Sequence, residues 1–131
     1  MANEQTLKQY AQQVLELVNQ QRRNSGLRDL SWRDDLHEVA KIRADEIVTR
    51  SFSHTRPDGT DCGNLLDSKG LHWCLWGENL ADGQRTPQEV VNSWMASPVH
   101  KTNIMNPEFN SLGVACKEKG GGYDWVQVFY S

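Results

Sequence analysis

Nowhere in the 131 residues does an apolar run approach the roughly 18 needed to cross a bilayer, so no transmembrane segment is expected. Basic residues are not in excess either. Interspersed along the chain, 14 Lys and Arg stand against 17 Asp and Glu, for a net charge of −3. No basic stripe for a phosphate backbone results, and nucleic acid is not an expected partner. The opening stretch, MANEQTLKQY, lacks the apolar core of a signal peptide. A Met set before a mature or internal domain would look the same, so localisation is not read from this end. Cysteine is sparse: Cys62, Cys74 and Cys116 allow one disulfide with one thiol left over, and none sits in the C-x-x-C pair of a structural zinc or redox motif. Small buried thiols and a single bridge in an oxidising compartment are the two alternatives, and the pairing stays open. Also missing are H-E-x-x-H, G-x-S-x-G, a glycine-rich phosphate loop and a dinucleotide fingerprint, which removes the best-known enzyme classes.

What is present is strong helical and strand patterning. From Thr6 to Arg23, Leu7, Tyr10, Ala11, Val14, Leu15, Leu17 and Val18 recur at three and four, the one-sided stripe of an amphipathic helix ended by Gly26. A second helix follows on Leu36, Val39, Ala40, Ala44 and Ile47, with Ser31 and Asp34 at capping-box spacing and His37 at the edge of the stripe, expected on the surface. Pro57-Asp58-Gly59 marks a loop, leading to a short helical piece around residues 65–69. An extended stretch is expected through Asn79 to Ala81, with His72, Trp73 and Trp76 as core or loop-packing residues. Thr86 as N-cap, Pro87 at the first helical position and Glu89 three residues after the cap start another helix, which Pro98 stops. Last, SLGVAC and YDWVQVFYS alternate around KEKGGG and read as an antiparallel hairpin. No repeat or linker divides the chain, so one domain over residues 1–131 is expected, of α+β class.

Polar residues at element boundaries are the ones a fold can bring together: His54 in a loop, Glu78 beside a strand, Glu89 in a helix start and His100 after a helix stop. Glu89 is explained by capping. Two imidazoles and a carboxylate suit a divalent transition metal such as zinc, although the separations from His54 to Glu78 and His100 are too long to be specific. The competing reading is three separately satisfied polar residues.

Four motifs in order, FSHTRPDG, GENLADG, EVVNSWMASPVHKTNIMNPEFNSLGVAC and WVQVFYS, resemble the CAP superfamily of cysteine-rich secretory, antigen 5 and pathogenesis-related 1 proteins, in its bacterial SCP-like branch. The resemblance runs from the helix around Leu15 to Tyr130. It implies an α-β-α sandwich with a small antiparallel sheet between helical layers, and a cleft carrying two histidines and two acids that binds zinc in some members. Carried over by motif, the histidines fall on His54 and His100 and the first acid on Glu78; the second acid's place is taken by Ser97, which brings no negative charge.

The leading expectation is therefore an extracellular or cell-envelope binding module, monomeric, whose cleft of His54, Glu78, Ser97 and His100 holds a small ligand or a metal, Zn2+ on His54 and His100 being the cofactor to test. Its partner would be a protein, cell-wall or lipid ligand. Two alternatives stand beside it. In one, the same cleft is a metal-assisted hydrolase with His54, Glu78 and His100 as its working groups. In the other, the polar cluster only ties the fold together and partners bind on an outer face.

Overall fold

The computed structural model describes residues 3–131. In chain order its elements are α1 (Glu4–Asn24), β1 (Ser31–Trp32), α2 (Asp34–Thr49), α3 (Cys62–Ser68), β2 (Trp76–Asp82), α4 (Pro87–Met95), α5 (Pro98–Ile104), β3 (Ser111–Lys119) and β4 (Gly122–Tyr130). The sheet order is β1-β3-β4-β2, with β2 at one edge. β3, β4 and β2 run antiparallel, as expected, while the two-residue β1 adds a parallel pair, Ser31 with Ser111 and Trp32 with Leu112. Lys119 pairs with Gly122, so the hairpin turns on Gly120 and Gly121 alone. Gly120 takes φ 60°, a left-handed conformation that glycine adopts without strain.

Side-chain alternation sorts the sheet's two faces into two apolar clusters. Leu112, Val114, Trp125 and Phe129 pack with Val14 and Val18 of α1, Val90 and Trp94 of α4, and Ile104 of α5. On the opposite face Leu80, Ala115, Val126 and Val128 pack with Leu36, Val39 and Ile47 of α2 and Leu65 and Leu66 of α3. The architecture is the expected α-β-α sandwich. Gly113 sets the spacing of the second interface: a Cβ there would lie 2.3 Å from the Leu36 backbone, so α2 rests directly on β3. Arg22 locks the first, its wholly buried guanidinium donating to the carbonyls of Arg28 at 2.8 Å, Ile104 at 2.8 Å and Asn106 at 2.9 Å.

Several local expectations are corrected. Ser31 does not cap α2, because it is drawn into the pairing with Ser111; Arg33 is the N-cap and makes no side-chain cap bond. His37 is buried, not on the surface, since its Nδ1 lies 2.8 Å from Val114 O and its ring packs on Trp32. α3 starts at Cys62, earlier than residue 65, because Asp61 and Asn64 form a capping box. The Glu89 carboxylate accepts from Arg85 N at 3.0 Å, one residue before the cap, while Thr86 accepts from Glu89 N. Pro98 does end α4, with Ser97 extended at φ −107° and ψ 116°, but it also opens α5 as its first residue. His100 thus lies in the first turn of a helix and not in a turn after one. All three cysteines are unpaired. Burial pushes the Cys116 thiol up to about 12 and Cys62 further still, so both behave as small apolar groups at neutral pH. Trp73 is 37% exposed and donates its indole N–H to Asp67, a loop-packing residue outside the core.

Candidate functional site

The site begins at a residue that sequence reasoning passed over. Arg43 shares the buried face of α2 with Val39, Ala40, Ala44 and Ile47, and is wholly buried. Such a guanidinium must find acceptors on every side. Its Nε donates to Glu78 Oε2 at 2.6 Å and its Nη1 to Glu46 Oε1 at 2.8 Å. Its Nη2 donates to Ser53 O at 2.6 Å and to Glu78 Oε1 at 3.3 Å. Arg56 closes the row by donating from Nη2 to Glu46 Oε2 at 2.8 Å. Burial alone would lower the Arg43 pKa, but the bonds and charges of Glu78 and Glu46 outweigh it, and the net shift is upward. Burial likewise works to raise the Glu46 carboxyl, yet Arg56 and Arg43 hold it below its ordinary value. Charges therefore alternate through Arg56, Glu46, Arg43 and Glu78, and this row pins the loop carrying His54 onto α2.

His54 stands at the outer end of the row. Its Nδ1 lies 2.8 Å from Glu78 Oε1, with the imidazole 63% exposed and the Glu78 side chain only 2% exposed. The carboxylate can only accept from Nδ1, which leaves the lone pair of a neutral ring on Nε2, facing outward from the row. Glu78 is thus an orienting group whose two oxygens are already engaged by Arg43 and His54.

His100 reaches the same neighbourhood from the other helical layer. Strand alternation turns Glu78 toward α2 and its neighbour Asn79 toward α5. Asn79 Nδ2 donates to His100 O at 3.0 Å and to Gln127 Oε1 at 3.1 Å, and Asn103 Nδ2 donates to Asn79 Oδ1 at 2.9 Å. Gly77 gives α5 its seat, because a Cβ there would meet Asn103 Oδ1 at 3.0 Å. Ser97, the N-cap residue of α5, makes no cap bond to backbone; its hydroxyl instead meets His100 Nδ1 at 2.9 Å. Partial burial, with a smaller contribution from the charge of His54, lowers the His100 pKa, so this ring is neutral at neutral pH.

The four residues singled out from the sequence are therefore arranged as two contacting pairs, His54 with Glu78 and Ser97 with His100. Among the described residues no three His, Cys, Asp or Glu side chains converge on one metal position. A catalytic zinc needs three protein ligands, whereas here the carboxylate is committed to Arg43 and Ser97 brings no charge. The donor set does not fit a tight metal centre. Nor do the four residues line either of two cavities of about 320 and 330 Å3, which lie elsewhere on the molecule. Of the four, His54 is exposed, Ser97 and His100 are half-buried and Glu78 is buried. Among the described residues three large apolar side chains are exposed, Phe52, Trp73 and Val99, and two of them neighbour the histidines in the chain. Arg43 was readable in principle as a charged residue on an apolar stripe; Glu46, Asn79 and Asn103 carried no comparable signal.

A family model described as "CAP: Cysteine-rich secretory protein family" matches residues 15–129. The chain is 36% identical over 121 residues to the protein YkwD of Bacillus subtilis, covering 92% of this chain and 46% of that one. An extracellular protein containing a SCP domain from Bacillus anthracis superposes with a TM-score of 0.88 at 26% identity, over 99% of this chain and 44% of its own. An outer surface protein of Borrelia burgdorferi superposes at 0.83 with 25% identity, over 92% of this chain and 90% of its own. The chain spans about half the length of YkwD and of the B. anthracis protein.

Proposed function

Because the chain belongs to the cysteine-rich secretory protein (CAP) family, we propose that it serves as an extracellular or cell-envelope binding domain. In this reading the surface around His54 and His100 contacts a protein or cell-wall partner. The observation that carries the proposal is the division of labour within the cluster. Arg43 and Glu78 are fully engaged and buried, and what they present outward is a fixed, accessible imidazole, with a second imidazole held by Ser97 and with Phe52 and Val99 exposed beside them in sequence. Pre-oriented hydrogen-bonding groups next to exposed apolar side chains suit recognition, since little ordering cost is left for the bound state. Hydrolysis is less well served. Both Glu78 oxygens are engaged by Arg43 and His54, and among the described residues no third group orients the His100 ring that meets Ser97.

The site is tested by following the histidine Cε1–Hε1 resonances during separate titrations with soluble peptidoglycan fragments, a library of short peptides, and zinc chloride. Shifts of both His54 and His100 with an organic probe are expected, with binding lost in the His54→Ala, His100→Ala double variant and weakened by Phe52→Ser. If only zinc bound, tightly and through both rings, or if peptide or ester turnover appeared and vanished in Glu78→Gln, the binding-module reading would give way to a metal or hydrolytic one.

A further inference from the structure

On its outer side β2 has no neighbouring strand. Which of its main-chain groups face that side follows from the pairs at its two ends. Leu75 N donates to Ser131 O at 3.3 Å and Ser131 N to Leu75 O at 3.0 Å, and Gly83 N donates to Tyr123 O at 2.8 Å. Both pairs continue the register that joins β2 to β4. Bonded pairs alternate along an antiparallel ladder, so Gly77, Asn79 and Ala81 direct their N–H and C=O groups to β4. Trp76, Glu78, Leu80 and Asp82 direct theirs off the edge of the sheet.

Among the described residues only one of those outward groups is taken up by the chain: Leu80 O accepts from Trp94 Nε1 at 3.1 Å. Glu78 N–H, Glu78 O and Leu80 N–H find no partner there. Main-chain donors and acceptors beside a core are satisfied by some group, and here it comes from outside the chain. Glu78 as a whole is 6% exposed while its side chain is 2% exposed, so what solvent touches is mostly main chain. The same stretch separates the two histidines. The Glu78 carboxylate holds His54 on the α2 side, and the Asn79 amide holds the His100 carbonyl on the α5 side.

We propose that the partner of the His54 and His100 surface is an extended peptide segment, which adds to the outer edge of β2 as a short strand and pairs its main chain with Glu78 and with Leu80 N–H. The proposal rests on the binding-domain reading above and names the chemistry of the partner. Outward groups recur on this edge every second residue, about 6.7 Å apart, which is the repeat of the donors and acceptors of an extended polypeptide. A sugar ring carries no donor and acceptor pair at that repeat. The added strand is short because the Trp94 indole already occupies Leu80 O and ends the run of free groups. Its side chains alternate in direction, one toward the His54 side of the edge and the next toward the His100 side.

The probe is the blocked pentapeptide acetyl-Thr-Val-Thr-Val-Thr-amide, together with five versions N-methylated at one residue each, titrated into the intact 15N-labelled chain beside chitotriose as a glycan. At saturation the Glu78 and Leu80 amide protons should move downfield and exchange about fivefold or more slowly, while those of Gly77 and Asn79, already bonded to β4, hold their rates. N-methylation at alternate residues should weaken binding about tenfold, and at the intervening ones by less than about twofold. Four results overturn the proposal. Shifts of both histidine rings without slowed exchange at Glu78 and Leu80 would leave the binding domain standing but remove the strand pairing. Equal effects of N-methylation at every position would do the same, as would histidine shifts with chitotriose and not with the peptide. Protection of Glu78 and Leu80 that rises with protein concentration in the absence of peptide would make a second copy of the chain the occupant. If no probe moved either histidine, both the binding-domain reading and the strand pairing would fall.

Discussion

Replacing Arg43 by Met keeps the length and apolar stem of the side chain while deleting its charge. The loss falls on Glu78, whose side chain is only 2% exposed and would keep the His54 Nδ1 contact but lose its guanidinium partner, and on Ser53 O, which loses a donor. Glu46 retains Arg56. Removing one partner of a buried ion pair costs about 3–5 kcal/mol, because the remaining charge is stranded out of water. For 131 residues at about 2.1 cal/mol/K each, the unfolding entropy near the midpoint is roughly 0.28 kcal/mol/K, so a loss of about 4 kcal/mol lowers the midpoint by about 15 °C. Thermal and urea unfolding of the parent, Arg43→Met, Glu78→Gln and the double variant at pH 7 form the cycle. The double variant should be more stable than Arg43→Met alone, since it strands no charge. A deficit under 1 kcal/mol at pH 7, or a double variant no better than Arg43→Met, would refute the description of Arg43 and Glu78 as a buried pair in which each compensates the other.

Four further outcomes are expected. Gly113→Ala places a methyl 2.3 Å from the Leu36 backbone and should cost about 1–3 kcal/mol or more in urea unfolding, by lifting α2 from β3. Ser97→Ala should change stability by less than about 1 kcal/mol, because that hydroxyl caps no backbone N–H, yet it should move the His100 ring resonances at neutral pH. Burial, helped by Asp82, pushes Asp124 up to about 6, so between about pH 4 and pH 6 the native state holds a proton that the unfolded chain has released. Stability of the parent relative to Asp124→Asn should accordingly fall as pH rises through that window, as chemical denaturation at several pH values will show. The buried His37 and the half-buried His100 act in the opposite direction: both pKa values are lowered chiefly by burial, so their contribution is present above the ordinary histidine pKa and lost as pH falls below it. His37→Gln should flatten the acid limb of the stability profile.

The helices and the hairpin could be read because their signals are local. Periodicity in α1 and α2, the Thr86-Pro87 start of α4 and the glycines at 120–122 each act within a few residues. Errors arose where a distant strand or helix overruled a local pattern. Ser31 was taken from its cap by Ser111, and His37 was buried because Val114, 77 residues away, offered a carbonyl. In the site, His54, Glu78, Ser97 and His100 came from the family's motifs, whereas spacing alone had left the three ionisable residues among them as separate polar groups. The supporting partners lay beyond either approach. Only the sheet register turns Glu78 to one face and Asn79 to the other, and only the packing of α2 brings Arg43 beneath Glu78.

That alternation on the edge strand gives each histidine its own footing. His54 is anchored through Glu78 to the α2 layer and His100 through Asn79 to the α5 layer, so the rings rest on different hydrophobic clusters on opposite faces of one sheet. Their separation is consequently a gauge of how the two layers sit against each other. A substitution in one core displaces one ring and leaves its counterpart in place. Any partner that grips both rings acts as a clasp across the sandwich, and its free energy of binding appears as added resistance to unfolding in both layers together.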